Sequence, residues 1–202
     1  MGKLSVGVLA SGRGSNLQSM IDASKEGRLG ARIAVVISDN SHAFALERAR
    51  NADIPAIHID PSAFQSRQEY EEAIVKELKK HRVGLVCLAG YMRLVGDAML
   101  EEFPGRIMNI HPALLPAFPG LGAQKQALEH GVRFSGCTVH FVDGGMDTGP
   151  IIAQAVVQVL DTDTPERLAD RILEQEHLIY PKAIELFAGG RIKIKGRRVK
   201  IL

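Results

Sequence analysis

The chain has 202 residues, 46% of them hydrophobic and 24% charged, which suits one buried core rather than several. A net charge of +2 is far from the concentrated basicity of an obligate nucleic-acid binder, so charge alone points to no particular partner. No run approaches about 18 apolar residues, and the N-terminus reads straight into a strand with no secretory pattern, so nothing indicates export or membrane insertion. Cys87 and Cys137 sit in apolar or small-residue runs and read as buried reduced thiols, which fits a cytoplasmic protein.

"KLSVGVLA" and "ARIAVVIS" are continuous apolar runs of the kind buried on both faces of a sheet. Between them "NLQSMIDASKEG" sets Leu17, Met20, Ile21 and Ser24 at helical spacing and ends at Gly27, a left-handed cap, which completes a β-α-β unit. A second helix covers roughly 43–52, and a short strand follows at "PAIHI". Ser66 and Glu69 form a capping-box pattern opening a long helix whose inward face carries Tyr70, Ile74 and Leu78. "GLVCLAG" and "RIMNIH" are the next strands, and their helix-length separations imply parallel pairing with right-handed crossovers. "FSGCTVHFV" and "GPIIAQAVVQV" are joined by a loop too short for a helical crossover, so they pair antiparallel. Thr164 caps a last helix with Pro165 in its first turn, and Pro181 is expected to interrupt it. The tail "RIKIKGRRVKIL" reads as a small hairpin turning near Gly196. Its six Lys/Arg in twelve residues suit phosphate contact, or the protection of an exposed strand edge, and the second reading is preferred. The class is α/β.

"ASGRGSNLQ" follows the first strand and opens the first helix. The amides of Gly14, Ser15 and Asn16 therefore converge where the helix dipole favours an anion, a phosphate cradle. Gly12 and Gly14 suit the tight turn, but Leu17 stands where a dinucleotide fingerprint carries its third Gly or Ala. Asp39, after the second strand, keeps an NAD reading open, and a turn with no ligand is the plain alternative.

In "IMNIHPALLP", Asn109 and His111 are two positions apart on a strand, so both side chains emerge on one side. An amide and an imidazolium are both donors, which suits an oxyanion developing at a carbonyl under attack. Asp147 in "VDGGMDTGP" is the candidate third member, because a carboxylate beside His111 favours the protonated donor. Taken singly, His111 reads as a satisfied core histidine and Asp147 as a turn-stabilising carboxylate.

The ordered set "SGRGSNLQ", "LAGYMRLV", "NIHPALLP", "FPG", "GCTVHFVDGGMDTGPII" and "EQEHLIYP" covers nearly the whole chain and resembles the glycinamide ribonucleotide (phosphoribosylglycinamide) formyltransferase family. The resemblance implies a Rossmann-like formyltransferase fold: a mostly parallel central sheet, an antiparallel C-terminal portion and helices on both faces. It implies a single domain over 1–202, with a phosphate-binding β-α-β half at 1–105 and a catalytic and folate half at 106–202 that ends in a long helix and a hairpin. The implied reaction moves the formyl group of 10-formyltetrahydrofolate, a co-substrate, to the amine of N1-(5-phosphoribosyl)glycinamide in purine biosynthesis. It needs no metal and no nucleic-acid or membrane partner, in a monomer or homodimer. Carried over residue by residue, the catalytic positions are Asn109, His111 and Asp147, and the nucleotide substrate meets Gly14, Ser15, Asn16 and Glu176. The folate meets Met92, Arg93, Leu94, Val95, Asn109 and the backbone of Asp143, Gly144, Gly145, Met146 and Asp147, with Arg67 and Arg93 for its acidic tail.

Without the resemblance, Met92 and Val95 read as core and Glu176 as a solvated helix face. Two positions depart from the family: Gly122 stands where many relatives carry a histidine, and Leu173 where they carry a polar residue. Formyltetrahydrofolate hydrolase shares the triad with water as acceptor, but it normally carries a regulatory domain before the first strand, which here begins by residue 4. Methionyl-tRNA formyltransferase adds a basic C-terminal domain that a tail of this size replaces poorly. A non-catalytic nucleic-acid-binding module resting on "RIKIKGRRVK" is the alternative of a different class.

Overall fold

Residues 2–202 are described by a computed structural model, and Met1, the first residue of the single-domain reading, lies outside them. In chain order the elements are β1 (Leu4–Leu9), α1 (Ser15–Lys25), β2 (Ala31–Ser38), α2 (Phe44–Arg50), β3 (Ala56–His58), α3 (Arg67–Lys80), β4 (Leu85–Leu88) and α4 (Asp97–Glu102). They continue with β5 (Ile107–His111), α5 (Ala123–Glu129), β6 (Phe134–Phe141), β7 (Ile151–Gln158), α6 (Pro165–Ala188), β8 (Ile192–Lys195) and β9 (Arg198–Ile201). The strands form one sheet in the order β3-β2-β1-β4-β5-β6-β7-β9-β8. Strands β1 to β5 pair in parallel, and β6 is antiparallel to both β5 and β7. The expected β6–β7 pairing is present, and the β5–β6 reversal adds to it.

Helices cover both faces. Leu17, Met20 and Ile21 of α1, Leu46 of α2 and Ile184 of α6 pack on one. Tyr70, Ile74 and Leu78 of α3 and Met99 of α4 pack on the other. The Ser66 hydroxyl accepts the Glu69 N–H at 3.1 Å, and the Glu69 carboxylate accepts from Gln65 N–H at 3.0 Å, so the cap forms much as the sequence predicts.

Pro181 does not interrupt α6, which runs unbroken from Pro165 to Ala188. An interior proline costs about 3 kcal/mol, but buried Leu168, Ile172, Tyr180 and Ile184 pin the helix on both sides of it. The Tyr180 hydroxyl lies 3.0 Å from the Leu88 carbonyl oxygen and 2.9 Å from that of Met108, which ties α6 to the ends of β4 and β5.

The tail forms the β8–β9 hairpin around Gly196 and joins β7 through the pair Ile151 and Arg198, so it extends the main sheet. Both cysteines are free and buried, and burial pushes each thiol up to about 12. No helix among the described residues is long and apolar enough to cross a membrane. Strand β1 lies between β2 and β4, so connections leave it in opposite directions and the carboxyl ends of β1 and β4 open a crevice.

Candidate functional site

A cavity of about 710 Å³ occupies that crevice. The loop after β1, the loop after β4, the end of β5, the β6–β7 loop and one side of α6 all contribute to its wall, and every site residue carried over by the resemblance lines it, whereas Asp39 does not.

At one end lies the cradle. Gly14 sits at the N-cap of α1 with φ 68°, and no side chain caps the helix, so the first-turn amides remain available to an anion. Only glycine fits there, because a Cβ on Gly14 would lie 2.8 Å from the Ala45 Cα. Asn16 turns its side chain away from solvent and donates to a Glu176 carboxylate oxygen at 2.7 Å. Glu176 is only 7% exposed, which overturns the solvated-face reading; burial pushes its carboxyl up, and the Asn16 bond works against that rise. Asp39, the acid that kept an NAD reading open, instead accepts from Arg93 Nε at 2.9 Å.

The cluster of Asn109, His111 and Asp147 lies at the end of β5. His111 is buried; its Nε2 donates to the Phe118 carbonyl at 2.7 Å, and its Nδ1 lies 3.3 Å from Asp147 Oδ2. The same Asp147 oxygen accepts the Gly120 N–H at 2.8 Å, while Oδ1 lies 3.4 Å from Asn109 Nδ2. Asp147 and Phe118 both have positive φ, 55° and 54°, a conformation costly for non-glycine residues and held here by these contacts. Burial opposes charge on Asp147, yet the His140 ring, the Gly120 N–H and the neighbouring histidine charges hold its carboxyl at about 2.

His140 is the member that sequence reasoning missed. It is buried opposite Asn109 in the β5–β6 register, 3.3 Å from Asn109 Nδ2 and 3.6 Å from Asp147 Oδ1. The available signal was a polar side chain inside a strand otherwise apolar enough to be buried. Thr138, on the same strand, donates to the Ala113 carbonyl at 2.7 Å and accepts the Leu115 N–H at 3.0 Å. It thereby fixes the start of the segment that carries Phe118 and Gly120.

Part of the cavity rim is an apolar lip. Met92 is 66% exposed, which corrects the core reading, whereas Val95 is half-buried against the α3 side of the core. Leu94, Leu121 and Met146 are likewise exposed around this opening. Arg67 bonds Glu71 at 2.9 Å and the Leu94 carbonyl at 2.8 Å, and Arg93 lies over the Tyr70 ring. Asp143 accepts from Gly145 N–H and the Thr148 hydroxyl, which curls the loop bearing Gly144 and Met146. Gly122 and Leu173, the two departures, also face this cavity.

With this geometry in place, the likeness to known proteins becomes specific. A family profile described as "Formyl transferase" matches residues 4–184. The phosphoribosylglycinamide formyltransferase of Bacillus subtilis is 44% identical over 182 residues, covering 90% of this chain and 93% of that protein. A crystal structure of glycinamide ribonucleotide transformylase 1 from Symbiobacterium toebii superposes with a TM-score of 0.98 at 60% identity, over 99% of this chain and 94% of that one. The trifunctional purine biosynthetic protein adenosine-3 of Chironomus tentans is 45% identical over 197 residues, 96% of this chain but only 14% of the longer protein. On the span of the family profile and these identities, the chain belongs to the formyl transferase family.

Proposed function

We propose that the chain transfers the formyl group of 10-formyltetrahydrofolate to the amine of N1-(5-phosphoribosyl)glycinamide, releasing tetrahydrofolate. One observation carries the reading: Asn109, His111 and Asp147, from segments 36 residues apart, meet in a cavity that also holds the open N-terminus of α1. The relatives' names supply the acceptor and the reaction class.

The cradle of Gly14, Ser15 and Asn16 takes the phosphate, and Glu176 faces the sugar. The apolar lip of Met92, Leu94, Val95 and Met146, with the curled backbone from Asp143 to Asp147, takes the pterin. Arg67 and Arg93 meet the acidic tail. The amine nitrogen attacks the formyl carbon, the bond to the folate nitrogen breaks, and the amine's proton is exchanged for one delivered to that nitrogen. The developing oxyanion is met by Asn109 Nδ2, whose contacts at 3.3 and 3.4 Å are long enough to be given up, and is stabilised by the neighbouring positive charge of His111 rather than by one of its N–H groups. In its imidazolium form His111 has the Phe118 carbonyl at one N–H and the Asp147 carboxylate at the other. Asp147 stays ionised and guides the proton, directly or through water.

An absorbance assay of 10-formyltetrahydrofolate, with and without the ribonucleotide and with His111→Ala as control, tests this. Deformylation that requires the ribonucleotide and disappears in the variant is the expected result. Equal deformylation without it makes water the acceptor and overturns the proposal.

A further inference from the structure

We infer that Arg13 is a specificity-determining residue for the phosphorylated substrate, supplying an uncommitted side-chain cation to the cradle. The inference rests on the reaction proposed above. Arg13 lies between Gly12 and Gly14 at the tip of the β1–α1 loop, exposed and lining the cavity. Among the described residues its guanidinium has no carboxylate or carbonyl partner, whereas Arg67 and Arg93, which also line the cavity, are engaged by Glu71 and Asp39. Its backbone is braced: Arg48 Nε donates to the Arg13 carbonyl at 2.9 Å, and Arg48 Nη1 donates to Gln18 Oε1 at 2.9 Å. The loop is therefore fixed from α1 and α2 while the Arg13 side chain is left uncommitted at the cavity wall.

A second feature of the same wall points to the ligand. Asn16 is 8% exposed, and its Oδ1 has no hydrogen-bond partner among the described residues although its Nδ2 is committed to Glu176. A buried acceptor left open wants a donor. First-turn amides and a free guanidinium take a phosphate, and Asn16 Oδ1 takes a hydroxyl, so the set fits a sugar phosphate better than a bare anion. Arginine suits the task because its planar fork grips two phosphate oxygens and stays charged.

The test is calorimetric titration of the full chain with ribose 5-phosphate and with inorganic phosphate, in the unaltered protein, Arg13→Ala and Arg13→Lys. Arg13→Ala is expected to weaken sugar-phosphate binding roughly tenfold, a modest loss for an exposed cation, and to flatten its salt dependence. Arg13→Lys recovers most of that loss. In turnover, KM for the ribonucleotide rises by the same factor, kcat falls less, and KM for the folate does not move. Undiminished binding in Arg13→Ala overturns the inference, as does an unaltered chain that takes up no sugar phosphate. Binding that depends on Arg13 in a chain that transfers no formyl group upholds this role and sinks the reaction instead.

Discussion

His111 is fixed at both ring nitrogens by oxygen atoms, one a carbonyl and one a carboxylate, while the Asn109 amide is held only by long contacts. Such a pair is orientated before substrate arrives and has a donor free to retarget, which is what stabilisation of a transient oxyanion requires. Losing one oxyanion-stabilising group, the Asn109 donor or the His111 charge, costs about 2.7–4 kcal/mol, so Asn109→Ala and His111→Ala should each lower kcat by about 10²- to 10³-fold with smaller changes in KM. Steady-state kinetics on both variants checks this, and near-normal turnover in both removes the assignment. Asp147 carries a pH consequence. Its carboxyl drops from an ordinary 3.8 to about 2, a depressed acid whose contribution to stability is fully present above about pH 4 and is lost as pH falls through about 2. Acid unfolding of Asp147→Asn should therefore be flatter than that of the unaltered chain between those values. Parallel curves would show that the carboxylate gains nothing on folding.

The elements place these side chains, and Gly14 is the most exacting joint among them. It combines a left-handed φ with an approach to Ala45 that leaves no room for a Cβ. Gly14→Ala should cost about 1–2 kcal/mol from backbone conformation alone, more with the clash, and should raise KM for the ribonucleotide. A melting temperature and a KM that both match the unaltered chain would mean that the loop can move aside. This joint was legible in the sequence because glycines between a strand and a helix have few other uses, and the β5 pair was legible because strand periodicity alone sets Asn109 and His111 on one side. His140 was not, because its place opposite Asn109 depends on the β5–β6 register, a long-range pairing that no local pattern encodes. Pro181 misled for a related reason: the propensity against an interior proline is real, and the buried contacts of α6 outweigh it. Met92 misled in the opposite direction, since an apolar residue beside a buried strand faces the cavity mouth.

At the scale of the whole molecule, one sheet carries both parts of the proposed site. The parallel region supplies the open end of α1 and the loop after β4, as parallel strands with crossover helices do. The reversal at β6 lets the β6–β7 loop fold back over β5, so that Asp147 meets Asn109 and His111. The β8–β9 hairpin is remote from this arrangement. Its basic residues were the basis for a nucleic-acid reading, but Ile192 and Val199 pack against the main core and β9 joins the edge of β7. Lysines on β8 then serve as edge protection. Ending the chain at residue 190 should uncover that apolar surface at a cost of about 1–2 kcal/mol, a fall in melting temperature of roughly 2–8 °C. Formyl transfer at permissive temperature should persist, because no residue of the hairpin lines the cavity. Neither form should bind RNA in a salt-sensitive way. Salt-sensitive RNA affinity in the full chain that disappears on truncation would instead make the hairpin a phosphate-contacting arm, with edge protection a secondary role.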